Sequence, residues 1–259
     1  MQAVQLGLTP YQEASELQRA LVERRKAGAI GDVLLLLEHT PVITLGRNAK
    51  ETNILESREK LAARGVEVFE CDRGGDVTYH GPGQLVGYPI VDLRGFSDEQ
   101  GRRKTLGPVE FVRRMEEALM NACGELGVPC ARIQGLTGVW TAGAKMQAKI
   151  AAIGVHISRG VTSHGFALNV NSDLDAFKAI VPCGIADRPV TSLQKELGRS
   201  LDLESTARVV ARHLGEVFRS ELQWLESLDA LLGPAPEDTP LSVPEEVRKL
   251  TGEDEIFLA

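Results

Sequence analysis

Residues 73–89 constrain this chain more than any other segment. They read Arg-Gly-Gly-Asp-Val-Thr-Tyr-His-Gly-Pro-Gly-Gln-Leu-Val-Gly-Tyr-Pro, so that five glycines interrupt two apolar runs typical of β-strands. Glycine loses more chain entropy on folding than any other residue, so such a cluster indicates positive φ angles or a backbone that lies close to another group. A tight hairpin would explain one or two of these glycines. The alternative is a binding surface where backbone N–H groups meet an anionic or carbonyl oxygen.

The rest of the chain has the composition of an ordinary globular protein. It has 259 residues, of which 43% are hydrophobic and 25% are charged, which is enough for one large domain or two smaller ones. Its first residues lack the basic and long apolar stretches of a signal peptide, and its longest apolar run, residues 33–37, is far shorter than a membrane span. We therefore expect a cytoplasmic protein with no membrane contact.

The net charge of −7 is concentrated in one segment. Residues 219–259 contain ten acidic and three basic residues, so residues 1–218 are formally neutral. Without a basic excess, nucleic acid is not expected as a partner. We expect a single main domain over 1–222 and an acidic, proline-containing extension over 223–259, with the Ile-Phe-Leu of residues 256–258 available to pack back onto the domain.

The hydrophobic pattern predicts a mixed α/β protein with several antiparallel hairpins instead of a regular βαβ alternation. Thr9 and Gln12 resemble a capping box at the start of the first helix. The predicted helices span 9–26, 57–64, 107–126, 174–180 and 205–222, and the predicted strands span 32–39, 41–45, 66–71, 76–79, 85–91, 139–141, 149–158 and 166–170.

The four cysteines do not indicate a metal site. Cys71, Cys123, Cys130 and Cys183 form no Cys-x-x-Cys pair, and no histidine lies at zinc-ligand spacing beside them. Cys183 differs from the others because Pro182 and Gly184 place it on a turn, outside any apolar periodic pattern. That position is equally compatible with a nucleophile and an inert thiol.

Lys149 begins a predicted strand, where a charge often simply marks the strand end. If it meets Cys183, its positive charge lowers the pKa of the thiol and supplies thiolate near neutral pH. Lys145 is a second candidate nearby. Among the histidines, His80 is the strongest candidate for the site, and His39 and His164 are possible accessory residues. Arg73 could hold a carboxylate or phosphate, or could form an ion pair with Asp72, Asp76 or Asp92.

Several spaced motifs together resemble the lipoyl(octanoyl) transferases. Besides residues 73–89, the matching stretches are Gly-Val-Trp from 138, Lys-Ile-Ala-Ala-Ile-Gly from 149, Ser-His-Gly-Phe-Ala-Leu-Asn from 163 and Pro-Cys-Gly from 182. The resemblance covers residues 30–195. It implies the fold of biotin and lipoate protein ligases, an α/β (α+β) arrangement with a mixed, largely antiparallel sheet, flanking helices and a smaller second sheet.

The resemblance also implies an activity and its residues. An octanoyl or lipoyl group passes from acyl carrier protein to a lysine of a lipoyl domain, by way of a thioester on Cys183 with Lys149 as its partner. The implied acyl site comprises Arg73, Gly74, Gly75, Asp76, Val77, Thr78, Tyr79, His80, Ala152, Ile153, Gly154, Gly165, Phe166 and Ala167. For the tunnel that holds the acyl chain, the candidate side chains are Val77, Tyr79, Leu85, Ala152, Phe166 and Leu168.

The implied donor carries its acyl group on phosphopantetheine, so no ATP, metal or other cofactor is expected. The implied acceptors are the lipoyl domains of 2-oxoacid dehydrogenase E2 subunits and the glycine cleavage H protein. Two basic triplets, 24–26 and 102–104, could attract these acidic partners or be ordinary solvated charges. Two other functions remain open, an ATP-dependent lipoate or biotin ligase on the same fold and a non-catalytic acyl-binding protein.

Overall fold

The computed structural model describes residues 1–97, 103–143, 146–182, 188–232 and 255–259. Over these residues the chain forms a nine-stranded mixed sheet, a three-stranded sheet and a two-stranded ribbon, with helices on both faces of the large sheet. This confirms the mixed α/β class with a smaller second sheet.

The elements follow one another without a regular alternation of strand and helix. Short 3₁₀ turns lie at Glu51–Asn53, Leu93–Gly95 and Leu174–Ala179. In chain order the helices and strands are β1 (Gln2–Thr9), α1 (Tyr11–Lys26), β2 (Val33–His39), β3 (Val42–Leu45), α2 (Arg58–Ala63), β4 (Glu67–Glu70), β5 (Val77–His80), β6 (Gln84–Ile90), β7 (Phe96–Ser97), β8 (Arg103–Lys104), α3 (Pro108–Glu125), β9 (Cys130–Ile133), β10 (Leu136–Thr141), β11 (Lys149–Ser158), β12 (Val161–Asn169), α4 (Leu193–Leu197), α5 (Leu203–Phe218), β13 (Gln223–Leu225), α6 (Asp229–Leu232) and β14 (Glu255–Leu258).

The large sheet has the strand order β13-β1-β2-β6-β12-β11-β10-β9, and β14 adds to β11 beside this path. The β13–β1 and β1–β2 pairs are parallel, whereas every pair from β2 to β9 is antiparallel. Strand β2 runs through the middle of the structure. Its Leu34 and Leu36 pack with α3 and α5 on one face, and its Val33, Leu35 and Leu37 pack with α1 on the other. Because both faces are buried, the strand reads as a continuous apolar run.

The smaller sheet has the order β4-β3-β5, with β3 parallel to β4 and antiparallel to β5. Its outer face packs on the 3₁₀ turn at Leu174–Ala179, where the Tyr79 and Phe177 rings meet edge to face with centroids 5.5 Å apart. All four residues of β5 are buried, so its other face also lies against protein. That face points to the large sheet and forms one side of the site.

Most predicted elements are confirmed to within a few residues, and the strand predicted over 149–158 has the predicted bounds. Strands β1, β7, β8, β9 and β13 and helices α4 and α6 were not predicted. The capping box was wrong, because Thr9 ends β1, Pro10 stands at the helix start without a side-chain cap, and Gln12 hydrogen-bonds Glu16 instead. Ser57 does cap α2 by accepting a hydrogen bond from the Lys60 N–H.

The acidic extension returns to the large sheet at its end. Residues 256–258 pair with β11, which confirms that the Ile-Phe-Leu stretch packs back. Residues 223–225 pair with β1 at the sheet edge. The division of the chain at residue 222 stays a prediction.

Candidate functional site

A cavity of about 410 Å³ lies between the large sheet and the small sheet. Strand β5 and the loop before it line one side, strands β6, β11 and β12 line the other, and Tyr11 of α1 contributes to its wall. Its volume is in the range of small-molecule sites. The predicted site residues that line it are Arg73, Gly75, Asp76, Thr78, His80, Lys149, Ala152, Ile153, Gly154, His164, Gly165, Phe166 and Ala167.

The glycine-rich segment owes its composition to both of the expected causes. Gly75 and Gly83 have φ angles of +91° and +82°. Gly74, Gly81 and Gly87 are instead needed for close approach, because a Cβ atom there would overlap the Leu258 backbone, the Tyr79 ring and the Phe166 ring respectively. The plain hairpin interpretation therefore does not account for this segment.

Arg73 organises the loop and is not free to hold a substrate anion through most of its donors. Its guanidinium donates to the carbonyl oxygens of Thr44 (2.7 Å), Gly74 (3.0 Å) and Asp76 (2.7 Å), and to the Thr44 hydroxyl. Asp76 is used in the same way, since its carboxylate accepts hydrogen bonds from the Lys50 and Val77 N–H groups. The predicted ion pair with Asp72, Asp76 or Asp92 is not among these contacts of the described residues, and anion binding by Arg73 stays a prediction.

Gly74, Val77 and Tyr79 of the predicted site are not among the residues that line the cavity, and neither are the predicted tunnel residues Leu85 and Leu168. Val77 and Tyr79 alternate with Thr78 and His80 along β5, and they point into the core of the small sheet. Leu85 and Leu168 likewise belong to the core under α3, whereas their neighbours Val86 and Ala167 line the cavity. Of the predicted tunnel residues, Ala152 and Phe166 do line the cavity, and Val86, Ile153 and Ala167 complete its apolar wall.

His39 and His80 are buried and neutral near pH 7. Burial lowers the pKa of His39 to about 4, and it lowers the pKa of His80 to about 3, with the nearby His39 contributing. His39 Nδ1 donates to the Thr9 carbonyl oxygen (2.8 Å), so its Nε2 accepts the Tyr88 hydroxyl proton (2.7 Å). His39 does not line the cavity. It contacts the cavity wall by accepting the hydrogen bond of Tyr88, which is a lining residue.

His80 belongs to a buried chain of hydrogen bonds that leads towards Lys149. Its Nδ1 donates to the Gln84 side-chain oxygen (2.6 Å), and the Gln84 amide donates to Asn169 (2.9 Å). Asn169 in turn donates to the Thr191 carbonyl oxygen, and the Thr191 N–H donates to the Lys149 carbonyl oxygen. This chain joins the glycine-rich segment to the strand that carries Lys149.

His164 lines the cavity and is tied to an acidic partner. Asp72 accepts a hydrogen bond from His164 Nε2 (2.7 Å) and another from His156 Nδ1 (2.8 Å). Burial lowers the pKa of His164, and this effect is larger than the opposite effect of the Asp72 carboxylate, which raises it. Partial burial would raise the pKa of Asp72, but the two imidazole hydrogen bonds keep it well below its usual range. His164 also has a φ of +55°, which is uncommon for residues other than glycine, although histidine adopts it more often than most.

Lys149 is buried at the start of β11, with its ammonium nitrogen 5.2 Å from the centroid of the Trp140 ring. The strand end is fixed by two backbone hydrogen bonds, from the Lys149 N–H to Pro189 and from the Thr191 N–H to Lys149. Lys149 was also compatible with a charge that only marks the end of a strand. Its burial in the cavity wall does not favour that interpretation. Cys183 and Lys145 lie outside the described residues, so the proximity of Lys149 and Cys183 stays a prediction.

Gly138 and Glu116 were missed as residues of the site. A Cβ atom on Gly138 would lie 2.9 Å from Lys149 Cε, and Glu116 accepts the Gly138 N–H at 3.0 Å. The Gly-Val-Trp motif was a signal for the first. Nothing in the sequence pattern identifies the second, because a buried glutamate on a helix cannot be told from an exposed one without its partners.

The first basic triplet is engaged within the protein. Arg25 pairs with Asp32 at 2.7 Å, Lys26 pairs with Glu23 and contacts Ser158, and Arg24 donates to the Leu232 carbonyl oxygen. These contacts favour a structural role for the triplet. Of the second triplet, Arg102 lies outside the described residues.

Two further properties concern the described part of the chain. No group of three or more His, Cys, Asp and Glu side chains there is arranged to hold a metal ion. No helix within the same ranges is long and apolar enough to cross a membrane.

Comparison with known proteins identifies relatives over nearly the whole chain. Residues 10–215 match the family model for the lipoyl protein ligase A/B catalytic domain. The octanoyltransferase of Koribacter versatilis is 59% identical over 254 residues, which cover 98% of each chain. The octanoyltransferase of Acidobacterium capsulatum is 58% identical over 88% of this chain and 94% of its own.

Solved structures with the same fold are more distant in sequence. A bipartite lipoate protein ligase from Thermoplasma acidophilum superimposes with a TM-score of 0.63 at 16% identity, over 87% of this chain and 86% of that one. A lipoate-protein ligase A bound with ATP gives a TM-score of 0.61 at 16% identity, over 90% and 92% of the two chains. The extent of the family match and the identity to the curated relatives together show that this chain belongs to the family of lipoyl protein ligase A/B catalytic domains.

Proposed function

We propose that this protein is an octanoyltransferase, an acyltransferase that moves an octanoyl group from acyl carrier protein to a lysine of a lipoyl domain. The octanoyltransferases of Koribacter versatilis and Acidobacterium capsulatum, at 59% and 58% identity, are the main support. The site agrees with them, because its cavity combines an apolar wall with one buried lysine. Candidate acceptors are the lipoyl domains of 2-oxoacid dehydrogenases and the glycine cleavage H protein.

The single structural observation that carries the proposal is the composition of the cavity wall. Val86, Ile153, Phe166 and Ala167 offer apolar surface for a hydrocarbon chain, and Lys149 lines the same cavity. Burying an alkyl chain contributes about 0.8 kcal/mol per methylene, which is enough to select the octanoyl group over short acyl groups. The histidines of the cavity are compatible with a bound hydrocarbon chain, because burial lowers the pKa of His80 and of His164 and keeps both side chains largely neutral near pH 7.

In the proposed reaction Cys183 forms a thioester with the octanoyl group. The Cys183 thiolate attacks the carbonyl carbon of the donor thioester, and the phosphopantetheine sulfur leaves as a thiolate that takes up the proton of the Lys149 ammonium, which leaves Lys149 neutral. The acceptor lysine amine then attacks the same carbon, the Cys183 thiolate leaves, and neutral Lys149 takes the proton lost by the amine. Thioester exchange is close to isoenergetic and amide formation is downhill, so the reaction proceeds without ATP.

The first test is to trap the acylated protein. The protein is incubated with octanoyl-acyl carrier protein, and its intact mass is measured with and without hydroxylamine, which cleaves thioesters. We expect one octanoyl group on the wild type and none on Cys183→Ala. Cys130→Ser is the matched control, because Cys130 is a half-buried free thiol outside the cavity, and it should acylate normally. Octanoyl transfer to Cys183→Ala would overturn the thioester assignment.

The second test addresses Lys149. Lys149→Gln keeps most of the side-chain length without the charge, and we expect transfer to the lipoyl domain to fall by about two orders of magnitude, the usual size of a general acid–base contribution. Lys149→Arg keeps the charge, but a guanidinium does not lose its proton near neutral pH and cannot act as the base, so this variant should acylate and then transfer poorly. Equal rates for the wild type and Lys149→Gln would remove this residue from the mechanism.

The same assay separates the two other functions. A ligase would attach free octanoate to the lipoyl domain when ATP is added, and it would not need Cys183. A binding protein would hold the acyl group without moving it. We expect neither result: octanoate with ATP gives no product, and octanoyl carrier protein alone suffices as donor.

A further inference from the structure

Strand β14 ends beside the cavity, on a sheet edge that two other segments share. Strand β10 pairs with the first part of β11, where Val139 lies opposite Ala151, and β14 pairs with the second part, where Leu258 lies opposite Val155. Between them the glycine-rich segment reaches the same edge, because the Gly74 N–H donates to the Val155 carbonyl oxygen at 3.1 Å. Residues 255–259, here called the strap, are therefore positioned directly against the glycine-rich segment.

Specific contacts hold the strap in this place. The Phe257 ring lies between the His156 imidazole, with centroids 4.3 Å apart and planes 22° apart, and the Arg47 guanidinium, 4.3 Å from its centroid. The Leu258 backbone fills the space above Gly74 that a Cβ atom would need, and its side chain packs on the main core. A stacked ring and a cation–π contact both stabilise the position of an aromatic side chain, so the Phe257 ring is the main anchor of the strap besides its strand pairing.

The strap reaches the open side of the cavity. Ala259 lines the cavity and its Cβ lies 2.8 Å from the position that a Gly75 Cβ would take. Ala259, Asn48 and Lys50 are exposed lining residues, whereas Tyr11, His80 and Tyr88 at the other end are buried. The anchor is also connected to the wall, since His156 and the lining residue His164 share the Asp72 carboxylate.

We propose that the strap covers the open side of the acyl cavity and keeps water from the bound acyl group, with Phe257 as its anchor and Ala259 as the residue that reaches the cavity. This proposal rests on the proposed octanoyltransferase function. An acyl thioester is lost either to the acceptor lysine or to water, and excluding water from a closed site suppresses the second route. The strap therefore raises the fraction of octanoyl groups that reach the acceptor.

The test compares hydrolysis with transfer. The wild type, Phe257→Ala and a chain ending at residue 254 are acylated with octanoyl-acyl carrier protein and freed of the carrier, and loss of the acyl group is followed by intact mass with and without the lipoyl domain. We expect hydrolysis to be about fivefold faster in both variants, with transfer changed less than about twofold, because only water access is altered. A merely structural strand would leave this ratio unchanged.

Two controls make the result specific. Phe257→Tyr keeps the stacked ring and should restore the slow hydrolysis of the wild type. Leu8→Ala removes an exposed apolar side chain from β1, far along the sheet order from β11, and should not change either rate. Equal hydrolysis rates in the wild type, Phe257→Ala and the shortened chain would overturn the proposal.

A second measurement separates this proposal from the octanoyltransferase function. Diethyl pyrocarbonate modifies accessible neutral histidines, and peptide mass mapping gives the rate for His164 alone. His164 should react about fivefold faster in the shortened chain, since it lines the cavity that the strap covers. If the wild type takes up no octanoyl group, the function is wrong, and the His164 rate still decides whether the strap covers the cavity.

Discussion

Gly138 and Glu116 fix the position of the Lys149 side chain. The Glu116 carboxylate is fully buried, and it accepts the Gly138 N–H while pairing with Arg113 (2.7 Å) and Arg132 (2.9 Å). Gly138 has a φ of +117°, and a Cβ atom on it would lie 2.6 Å from the Ala151 carbonyl oxygen and 2.9 Å from Lys149 Cε. The strand can thus pass Lys149 closely only because the residue at 138 has no side chain.

Gly138→Ala should therefore move the lysine as well as strain the strand. We expect octanoyl transfer to fall by at least about tenfold and the free energy of unfolding to fall by about 1–3 kcal/mol, from an unfavourable φ together with a steric clash. Gly135→Ala is the matched control, because Gly135 has a φ of +80° with open space around it. That variant should lose about 1 kcal/mol of stability through its φ alone and keep its transfer rate. Normal transfer by Gly138→Ala, measured beside urea unfolding, would contradict this account.

At the scale of elements, the site depends on close backbone contacts between strands β6, β11 and β12 and the glycine-rich segment. Gly154 and Gly165 are cross-strand partners. A Cβ atom on Gly154 would lie 2.7 Å from the Gly74 carbonyl oxygen, and one on Gly165 would overlap the Gly87 carbonyl oxygen. The motifs around these glycines, far apart in the chain, are therefore one packed unit in the fold.

Gly154→Ala should push the glycine-rich segment away from β11. The contacted atom is the Gly74 carbonyl oxygen, which belongs to the backbone and cannot rotate aside as a side chain could. We therefore expect the free energy of unfolding to fall by about 1–3 kcal/mol, the usual cost of overpacking. We also expect a KM for octanoyl-acyl carrier protein raised more than the kcat is lowered, since the cavity wall is displaced while Lys149 is not. Gly31→Ala, at a glycine with open space around it, should leave both quantities near wild type. A changed kcat with an unchanged KM would place the effect elsewhere.

Sequence periodicity predicted the positions of strands and helices better than it predicted which side chains of a strand face the cavity. Strands β2 and β11 were predictable because each is a long, almost uninterrupted run of apolar residues, which is typical of a buried strand and not of a loop. The direction of Val77 and Tyr79 was wrong because all four residues of β5 are buried, so alternation alone does not say which face meets the cavity. The carbonyl partners of Arg73 and the action of His39 through Tyr88 depend on the path of the backbone and on contacts between distant residues, which no local pattern encodes.

At the scale of the whole molecule, the fold buries neutral histidines around one cavity. His39, His80 and His164 contact it or its wall, and burial is the largest cause of the lowered pKa of each. In the unfolded chain the same residues titrate near 6.5. Below that pH the unfolded state binds protons that the native state does not, so acid selectively stabilises the unfolded chain.

The free energy of unfolding should therefore decrease as the pH falls from 7 to 5. With native pKa values of about 4 for His39 and about 3 for His80, the stabilisation is complete above pH 6.5 and is lost as the pH falls towards those values. Each histidine contributes a slope of about 1.4 kcal/mol per pH unit between about pH 6 and pH 4. Urea unfolding at half-unit pH steps measures this slope. His80→Gln removes one of the titrating groups, so its slope should be smaller by about 1.4 kcal/mol per pH unit, whatever its stability at pH 7. A slope equal to that of the wild type would mean that His80 is protonated in the native protein, and the hydrogen bond from its Nδ1 to Gln84 would then not fix a neutral ring.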